Sequence, residues 1–261
     1  MRDYLGVAVE AARLGGDVLK QSFGNVKQIE YKGEANIVTE VDKRSEKLIV
    51  ELLLSRFPKH SILGEEGTNL TGSSGLKWII DPLDGTTNYA HDYPIFCVSV
   101  ALEEHGEIIV GAIYQPIFDE LFTAEKGKGA YLNGRQIRVS RVSRLRESLL
   151  STGFPYDVLQ DPTMAMRYFA SFVDTAQAVR RDGSAALDLC YVAMGRFDAF
   201  WEVRLKPWDS AAGVLIVAEA GGKVTNFQGG AYSVYGEELM ATNAAIHTEM
   251  SHIFQRVKQR P

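Results

Sequence analysis

The most constraining feature of the sequence is the stretch WIIDPLDGTTN at residues 78–88. Its apolar start, residues 78–80, indicates a buried strand, and we expect that strand to end at Asp81 and Pro82. Asp84 and Gly85 then indicate a turn, and Thr86 and its neighbour begin a helix. Two carboxylates beside a helix N-terminus can hold a hard cation and an anion together. The stretch therefore predicts a site for a metal ion and a phosphate group.

Composition limits the partners that such a site can serve. The chain has 261 residues, 46% of them hydrophobic, which is enough for one large domain or two intimate halves. Its net charge is −5 and its basic residues cluster only weakly at 135–146, so we expect no nucleic acid partner. Cys97 and Cys190 lie in apolar segments, which favours buried thiols over a disulfide. We expect a cytoplasmic protein without a membrane span, because no uninterrupted apolar run of about 18 residues occurs.

The first half of the chain shows two helical patterns followed by strands. Apolar residues recur every three or four positions over 5–19 and again over 45–57, with a polar loop at 32–36 between them. Asp42 falls in the first turn of the second helix, where an acid also interacts well with the helix dipole. Turn signals separate the strands that follow, which indicates antiparallel hairpins. These strands are predicted at 61–63, 78–80, 96–102, 108–114, 120–124 and 130–132.

From residue 148 the pattern changes to strands that alternate with helices. Strands are predicted at 148–152, 176–179, 198–203, 222–225 and 239–242, and helices at 163–173, 184–194, 210–220 and up to about residue 258. This alternation favours an α/β arrangement with a sheet covered on both faces. We therefore predict a single domain over 1–261, made of an N-terminal α+β half (1–142) and a C-terminal α/β half (143–261).

Five acids follow predicted strands or stand beside predicted helix starts: Glu65, Glu66, Asp81, Asp84 and Asp209. Each has an ordinary alternative role as a turn residue, a helix cap or a surface charge. Their apolar surroundings favour a metal site instead, because an unpaired carboxylate is costly to bury. Oxygen ligands without nearby histidine favour Mg²⁺ or Mn²⁺ over zinc.

The residues after the second aspartate supply the other parts of a hydrolytic site. Gly85 lets the backbone approach a ligand closely, and amides at a helix start can bind phosphate. The Thr86 hydroxyl can hold a water molecule, and Asp42 or Glu66 can accept its proton. With two metal ions, these parts suffice for in-line hydrolysis of a phosphate ester.

Three segments carry a family resemblance: WIIDPLDGTTN, PWDSAAGVLIVAEAGG and the preceding GEEG. They resemble the signature segments of the inositol monophosphatase family, which belongs to the Mg²⁺-dependent, lithium-sensitive phosphatases. The resemblance covers the whole chain in order and length. It implies a layered αβαβα sandwich of the inositol monophosphatase and fructose-1,6-bisphosphatase type. It also implies a homodimer, and the apolar face of the hairpin at 96–114 separately suggests a subunit contact.

The resemblance assigns the metal ligands residue by residue. Glu65, Asp81 and the backbone carbonyl of Leu83 would hold the first metal ion, and Asp81, Asp84 and Asp209 the second. A third ion would lie beside Glu65. The expected cofactor is two or three Mg²⁺ ions, with Mn²⁺ as a substitute.

The resemblance also assigns the residues around the substrate. Thr86 and Asp42 would orient or deprotonate the attacking water, and the amides of Gly85 and Thr86 would bind the phosphate. The polyol contacts would be Gly183, Ser184, Ala185, Glu202 and Asp209.

The expected substrate is myo-inositol 1-phosphate, but alternatives stay open. The ordinary role of residues such as Arg180 and Arg181 is structural or in surface ion pairs with acids. The two arginines also resemble residues of bacterial and archaeal members, some of which accept fructose 1,6-bisphosphate. Nucleotide 3′-phosphates and histidinol phosphate are further candidates. A different class of function is protein-binding regulation, since some bacterial relatives associate with the transcription machinery. The complete set of acids favours the enzyme.

Overall fold

The computed structural model describes residues 3–25, 29–31, 37–155 and 163–259, so the loop predicted at 32–36 lies outside the described residues. The helices are α1 Tyr4–Ser22, α2 Glu40–Arg56, α3 Thr86–Ala90, α4 Thr163–Val173, α5 Ala185–Ala193, α6 Pro207–Glu219 and α7 His247–Gln259. The strands of the first half are β1 Ile29–Tyr31, β2 Ile37–Thr39, β3 Ser61–Gly64, β4 Asn69–Leu70, β5 Leu76–Asp84, β6 Cys97–Glu104, β7 Glu107–Gln115, β8 Glu120–Glu125, β9 Ala130–Leu132 and β10 Arg135–Gln136. Those of the second half are β11 Leu149–Thr152, β12 Ala178–Arg180, β13 Ala199–Val203, β14 Lys223–Thr225 and β15 Glu238–Thr242.

The first half is built on an eight-stranded sheet with the order β10-β9-β8-β7-β6-β5-β3-β4. Its pairs are antiparallel except for β3 and β5, which run parallel. The hairpins confirm the predicted turns, because His105, Gly106, Asn133 and Gly134 all have positive φ angles. These residues reverse the chain between β6 and β7 and between β9 and β10.

The second half contains a mixed five-stranded sheet with the order β12-β11-β13-β15-β14. Strand β11 pairs in parallel with both β12 and β13, whereas β15 pairs antiparallel with β13 and β14. The parallel pairs require crossovers, which pass through α4 and α5. The predicted alternation of strands and helices is therefore confirmed in this half.

Three apolar clusters hold the layers together. One packs α1 and α2 on the large sheet, one places α5 and α6 between the two sheets, and one packs α4 and α7 on the small sheet. The resulting order is helices, large sheet, helices, small sheet, helices, which confirms the expected αβαβα sandwich. The middle cluster contains Ile113 and Phe122 from the first half and Leu189 and Ile216 from the second. Both halves thus share one core.

Helix α1 lies close to the large sheet because it carries glycine where it meets β7. A Cβ atom at Gly16 would come within 2.4 Å of Cδ1 of Tyr114. Any larger residue at position 16 would therefore push α1 away from β7 or displace Tyr114. Among the helices of the described residues, none combines the length and the apolar character needed to cross a bilayer.

Most of the 96–114 hairpin, where we expect a subunit contact, is buried within the chain itself. Residues 96–102 of this hairpin are fully buried inside the chain, and Tyr114 is only 4% exposed. They pack against α1 on one side of the sheet and against α6 on the other. The apolar character of the hairpin therefore reflects burial on both faces of a central strand pair.

His247 makes the small sheet sensitive to pH. Its Nε2 lies 3.0 Å from Thr225 Oγ1 and its Nδ1 lies 2.9 Å from Thr242 Oγ1, in a site where the residue is 2% exposed. Burial, with a smaller contribution from Lys223, lowers the pKa of His247 to about 4. The ring is therefore neutral in the folded protein at neutral pH.

We expect this histidine to destabilise the fold as the pH falls. An unfolded histidine has a pKa of about 6.5, so between about pH 6.5 and pH 4 the unfolded state binds a proton that the folded state does not. When the pH falls from 7.5 to 4.5, the free energy of unfolding of His247→Gln should decrease by about 2 kcal/mol less than that of the wild type. Urea unfolding at both pH values measures the difference. Replacement of the exposed His252 on the same helix serves as the control. Equal losses in wild type and His247→Gln would contradict the prediction.

Candidate active site

Strand β5 carries three of the predicted metal ligands at its end. The strand does not stop at Asp81 and Pro82 as expected but continues to Asp84. Asp81 lies opposite Ser99, Asp84 lies opposite Cys97, and the register shifts between them. Proline lacks the N–H that a regular ladder needs, which accounts for an irregularity at this point. The irregular end positions both aspartates beside the turn into α3.

Asp81 is enclosed at this strand end. The residue is 1% exposed, and its Oδ1 accepts a hydrogen bond of 3.0 Å from the backbone N–H of Leu83. Glu65 is close enough to form a hydrogen bond with the Asp81 side chain. The side chains of Glu65 and Asp81 therefore lie together at this strand end.

Asp84 joins the first half of the chain to α5 in the second half. Its Oδ2 accepts hydrogen bonds from the Ser184 hydroxyl at 2.6 Å and from the backbone N–H of Ala186 at 2.8 Å. Ser184 is the N-cap of α5, with its own Oγ 3.4 Å from the Leu187 amide. Ser184, predicted as a substrate contact, thus also orients a predicted metal ligand.

Gly85 occupies a position that other residues would strain. Its φ angle is +96°, and a Cβ atom there would lie 2.8 Å from the carbonyl oxygen of Ile95. The helix α3 that follows has only five residues, so its aligned peptide dipoles add little. Phosphate binding at this turn would depend on the individual amides of Gly85 and Thr86.

Asp42 on α2 contacts Thr86 at the start of α3, within the first half of the chain. Asp42 is fully buried and caps α2, since its Oδ2 accepts hydrogen bonds from the amide of Thr39 at 2.9 Å and from the Thr39 hydroxyl. Its Oδ1 lies 3.2 Å from Thr86 Oγ1, which is also 3.0 Å from the Leu83 carbonyl oxygen. A hydroxyl has one proton, so Thr86 donates to one of these acceptors at a time. Asp42 thus has both the predicted helix-start role and a contact with Thr86.

Glu46 is a site residue that the sequence reasoning missed. It lies on α2, is 4% exposed, and holds the GEEG turn through its two carboxylate oxygens. Oε2 accepts from the amide of Glu66 at 2.8 Å, and Oε1 accepts from the amide and hydroxyl of Thr68 at 3.1 and 2.6 Å. The available signal was its position beside Ser45, on the face of α2 whose periodicity predicts burial. An acid on that face requires several partners.

Asp209 enters the site from the first turn of α6. The helix begins at Pro207, three residues before the predicted start, because proline is well accommodated in the first helical turn. Asp209 is therefore not the N-cap; its Oδ2 accepts a 2.7 Å hydrogen bond from the Lys206 amide as the third helical residue. Its side chain faces the same cavity as Asp84.

A cavity of about 420 Å³ lies between the two halves. The predicted residues that line it are Glu65, Asp84, Gly183, Ser184, Ala185, Glu202 and Asp209. Other predicted residues are not among its lining: Asp42, Glu66, Asp81, Leu83, Gly85 and Thr86. Arg181 and Asp188 also line the cavity, and the sequence reasoning did not single out Asp188.

Burial and mutual repulsion destabilise the charged forms of Asp81 and Asp209, and burial does so for Asp84. Burial is the largest cause that raises the pKa of Asp81 well above its usual range, followed by the charges of Glu65, Asp84 and Asp209. Burial also raises the pKa of Asp84 to about 6, against the opposing hydrogen bond from Ser184. The pKa of Asp209 rises to about 8, first through burial and then through Asp84.

This donor set fits a divalent cation in its chemistry. The acids are oxygen donors whose mutual repulsion a bound cation would relieve. In the part of the chain that the structure describes, no three His, Cys, Asp or Glu side chains already form a metal-ligand group. One oxygen each of Asp81, Asp84 and Asp209 instead accepts a hydrogen bond from the chain itself. The individual metal assignments therefore stay predictions.

Glu202 brings a further acid to the cavity lining. It lies on β13, and burial raises its pKa to about 8 although Arg181 opposes the shift. Gly183 has a φ angle of +84°, and the carbonyl oxygen of the preceding Asp182 accepts a 2.8 Å hydrogen bond from Asn88. Asn88, the last residue of the WIIDPLDGTTN stretch, therefore anchors the loop that carries the predicted polyol contacts Gly183 and Ser184.

Comparisons with known proteins agree with this architecture. The sequence model of the inositol monophosphatase family matches residues 1–259. The chain is 44% identical over 254 residues to the fructose-1,6-bisphosphatase/inositol-1-monophosphatase of Aquifex aeolicus (strain VF5). The aligned region covers 95% of this chain and 93% of the relative. It is 40% identical over 255 residues to the inositol-1-monophosphatase of Rhizobium meliloti (strain 1021), with 97% and 96% covered.

A solved structure shows the same fold. The extragenic suppressor protein suhB from Bartonella henselae superimposes with a TM-score of 0.93 at 41% identity, covering 98% of this chain and 99% of that one. The chain therefore belongs to the inositol monophosphatase family, phosphatases that act on small phosphate esters.

Proposed function

We propose that the protein hydrolyses a phosphate monoester of a small polyol in the presence of Mg²⁺, with myo-inositol 1-phosphate as the preferred substrate. The observation that carries this proposal is the cavity itself. Its lining combines the acids Glu65, Asp84 and Asp209 with the Ser184 region and Glu202. The acids suit metal ions that bind phosphate, and the Ser184 region with Glu202 suits the hydroxyl groups of a polyol.

The proposed metal ligands are four acids and one backbone carbonyl oxygen. Glu65, Asp81 and the Leu83 carbonyl would hold one Mg²⁺ ion, and Asp81, Asp84 and Asp209 a second, with a third beside Glu65. Mn²⁺ would substitute. When bound, these ions supply charge neutralisation for the phosphate and for the leaving oxygen.

The residues of the chain supply orientation and proton acceptance. Thr86 would hold the attacking water, and the 3.2 Å contact between its hydroxyl and Asp42 supports Asp42 over Glu66 as the acceptor of the proton. The amides of Gly85 and Thr86 would bind phosphate oxygens. Gly183, Ser184, Ala185 and Glu202 would bind the polyol.

A second substrate is favoured by one specific observation. Arg181, Arg204 and Lys206 also line the cavity, and cations there could hold a second phosphate group. The Aquifex aeolicus relative carries fructose-1,6-bisphosphatase in its name. Dual activity on fructose 1,6-bisphosphate is therefore the alternative.

The experiment is a phosphate-release assay with Mg²⁺ on purified protein. The panel contains myo-inositol 1-phosphate, fructose 1,6-bisphosphate, a nucleotide 3′-phosphate and histidinol phosphate. We expect the highest kcat/KM for the inositol ester and loss of turnover when EDTA removes the metal. A higher kcat/KM for any other ester, or full turnover in EDTA, would refute the assignment as stated.

The remaining expectations concern assembly and setting. We propose a cytoplasmic homodimer in which residues 1–142 and 143–261 form one functional unit, and light scattering of the purified chain tests the dimer. A role as a protein-binding regulator is the alternative from another class. A stoichiometric macromolecular partner that an Asp81→Asn variant still captures would support it.

A further inference from the structure

Gly153 is a glycine in the cavity lining that the proposed reaction does not use. It directly follows β11, which ends at Thr152, and it lines the same cavity as Glu202. Its φ angle is not positive, so the backbone conformation at this position does not require glycine. The reason for a glycine therefore lies in the space around it.

The carboxyl group of Glu202 occupies that space. Thr152 pairs in parallel with Trp201, which brings the residues that follow them, Gly153 and Glu202, side by side. A Cβ atom at Gly153 would lie 2.0 Å from Oε2, 2.4 Å from Cδ and 2.5 Å from Oε1 of Glu202. Atoms in ordinary contact lie about 3.5 Å apart, so any side chain at this position would displace the carboxyl group by more than about 1 Å.

Packing against Gly153 is the main restraint on the Glu202 carboxyl group. Within the described residues no group donates a hydrogen bond to it, and Arg181 and Asp84 act on it through their charges. Glu202 is partly exposed, lines the cavity, and has neither oxygen sealed from solvent. A ligand in the cavity can therefore reach this carboxyl group, whose oxygens are open to a hydrogen-bond donor.

Glu46 shows how a carboxylate in this fold is held by other means. A Cβ atom at Gly64 would lie 2.5 Å from its Oε2, so this acid also packs against a glycine. Hydrogen bonds from Glu66 and Thr68 fix both of its oxygens as well. Bonding thus holds Glu46 in place, whereas Glu202 depends on packing.

We propose that Gly153 is a positioning residue for substrate selection: its missing Cβ atom gives the Glu202 carboxyl group the place from which it accepts hydrogen bonds from substrate hydroxyl groups. This inference rests on the proposed function, in which Glu202 binds the polyol, and adds the residue that sets the geometry of that contact. A hydroxyl can donate to a carboxyl oxygen in either protonation state, but only at hydrogen-bond distance. Displacement by about 1 Å would therefore weaken selection of polyol phosphates over esters without hydroxyl groups.

The first test compares two esters. Wild type and Gly153→Ala are assayed with Mg²⁺ on myo-inositol 1-phosphate and on phenyl phosphate, whose ring carries no hydroxyl group. For Gly153→Ala we expect kcat/KM for the inositol ester to fall about 10- to 100-fold and kcat/KM for phenyl phosphate to stay within about twofold. The Tm should change little, because the atoms that must move are the end of a flexible side chain. An equal loss on both esters would overturn the inference.

A double-mutant cycle determines whether Gly153 acts through Glu202. Glu202→Ala removes the carboxyl group and leaves space for a Cβ atom at position 153. It should lower kcat/KM for the inositol ester at least as much as Gly153→Ala does, and combining the two should lower it by no more than about a further twofold. If Gly153→Ala has the same effect with and without the Glu202 carboxyl group, the glycine acts by another route and the inference is wrong.

The structure of the variant supplies a measurement that does not depend on activity. A crystal structure of Gly153→Ala should show the Glu202 carboxyl group displaced by about 1 Å or more, with β11 and β13 in their wild-type positions. A carboxyl group that stays in its wild-type place would contradict the inference.

Gly230→Ala is the control for the loss of a glycine. Gly230 is exposed and outside the cavity lining, and the atoms nearest to an added Cβ atom belong to the Asn226 side chain, the closest at 3.0 Å. Its kcat/KM should equal that of wild type for both esters. If wild type does not hydrolyse the inositol ester, the proposed function and this inference both fail. If wild type and Gly153→Ala hydrolyse it equally well, the inference alone fails.

Discussion

Asp81→Asn and Asp209→Asn should each give a folded protein with kcat/KM reduced on the order of 10³-fold. The amide keeps the shape of the side chain but weakens a proposed metal ligand, and metal ions contribute several kcal/mol to such reactions. The surrounding acids repel the charge of Asp81, so its loss should not destabilise the fold. Phosphate release from myo-inositol 1-phosphate measures the effect on catalysis.

Thermal unfolding supplies an independent measurement for the same variants. Mg²⁺ should raise the Tm of the wild type, since a ligand that binds only the folded state stabilises it, and should raise the Tm of Asp81→Asn less. In metal-free buffer the variant should unfold at the wild-type temperature or above. Asp174→Asn, which changes an exposed acid after α4, is the control and should behave as wild type. Undiminished turnover by either site variant would remove that residue from the metal site.

Glu46→Ala should destabilise the protein by about 2–3 kcal/mol and lower kcat/KM about 10- to 100-fold. The substitution removes a buried acceptor and leaves the amides of Glu66 and Thr68 without their partner. The turn that carries Glu65 is then no longer held, so we expect a higher Mg²⁺ concentration for half-maximal activity. Urea unfolding and a Mg²⁺ titration of activity measure the two effects.

Glu51→Ala provides the matched control on the same helix. Glu51 is exposed and its ion pair with Lys47 spans 4.0 Å, so its loss should cost at most about 0.5 kcal/mol and leave the Mg²⁺ requirement unchanged. Unaltered stability and Mg²⁺ dependence in Glu46→Ala would show that the GEEG turn holds its position by other means.

Elements with strong periodicity could be predicted from the sequence because their signals are local. Residues 163–173 and 130–132 were predicted with the bounds that α4 and β9 have. The end of β5 was predicted wrongly, because an aspartate and a proline indicate a break while pairing with β6 carries the strand on to Asp84. The start of α6 was also placed too late, because Pro207 was not counted as its first residue.

The apolar pattern at 96–114, which suggests a subunit contact, also has a source within the chain. An apolar segment is equally consistent with an exposed interface and with a strand covered on both faces. Only the packing of α1 and α6 on β6 and β7 distinguishes the two.

The amino-acid sequence alone determines the identity of the acids in this site and the family to which the chain belongs, since the motifs that carry them are contiguous. Tertiary structure decides which partner each acid meets, because the partners come from distant parts of the chain. Asp84 receives its hydrogen bonds from residues 184 and 186, Glu46 holds a turn twenty residues away, and Asp188 is buried with one oxygen unpaired. Burial and hydrogen bonding depend on these long-range contacts, and together they set the protonation of the acids at the cavity.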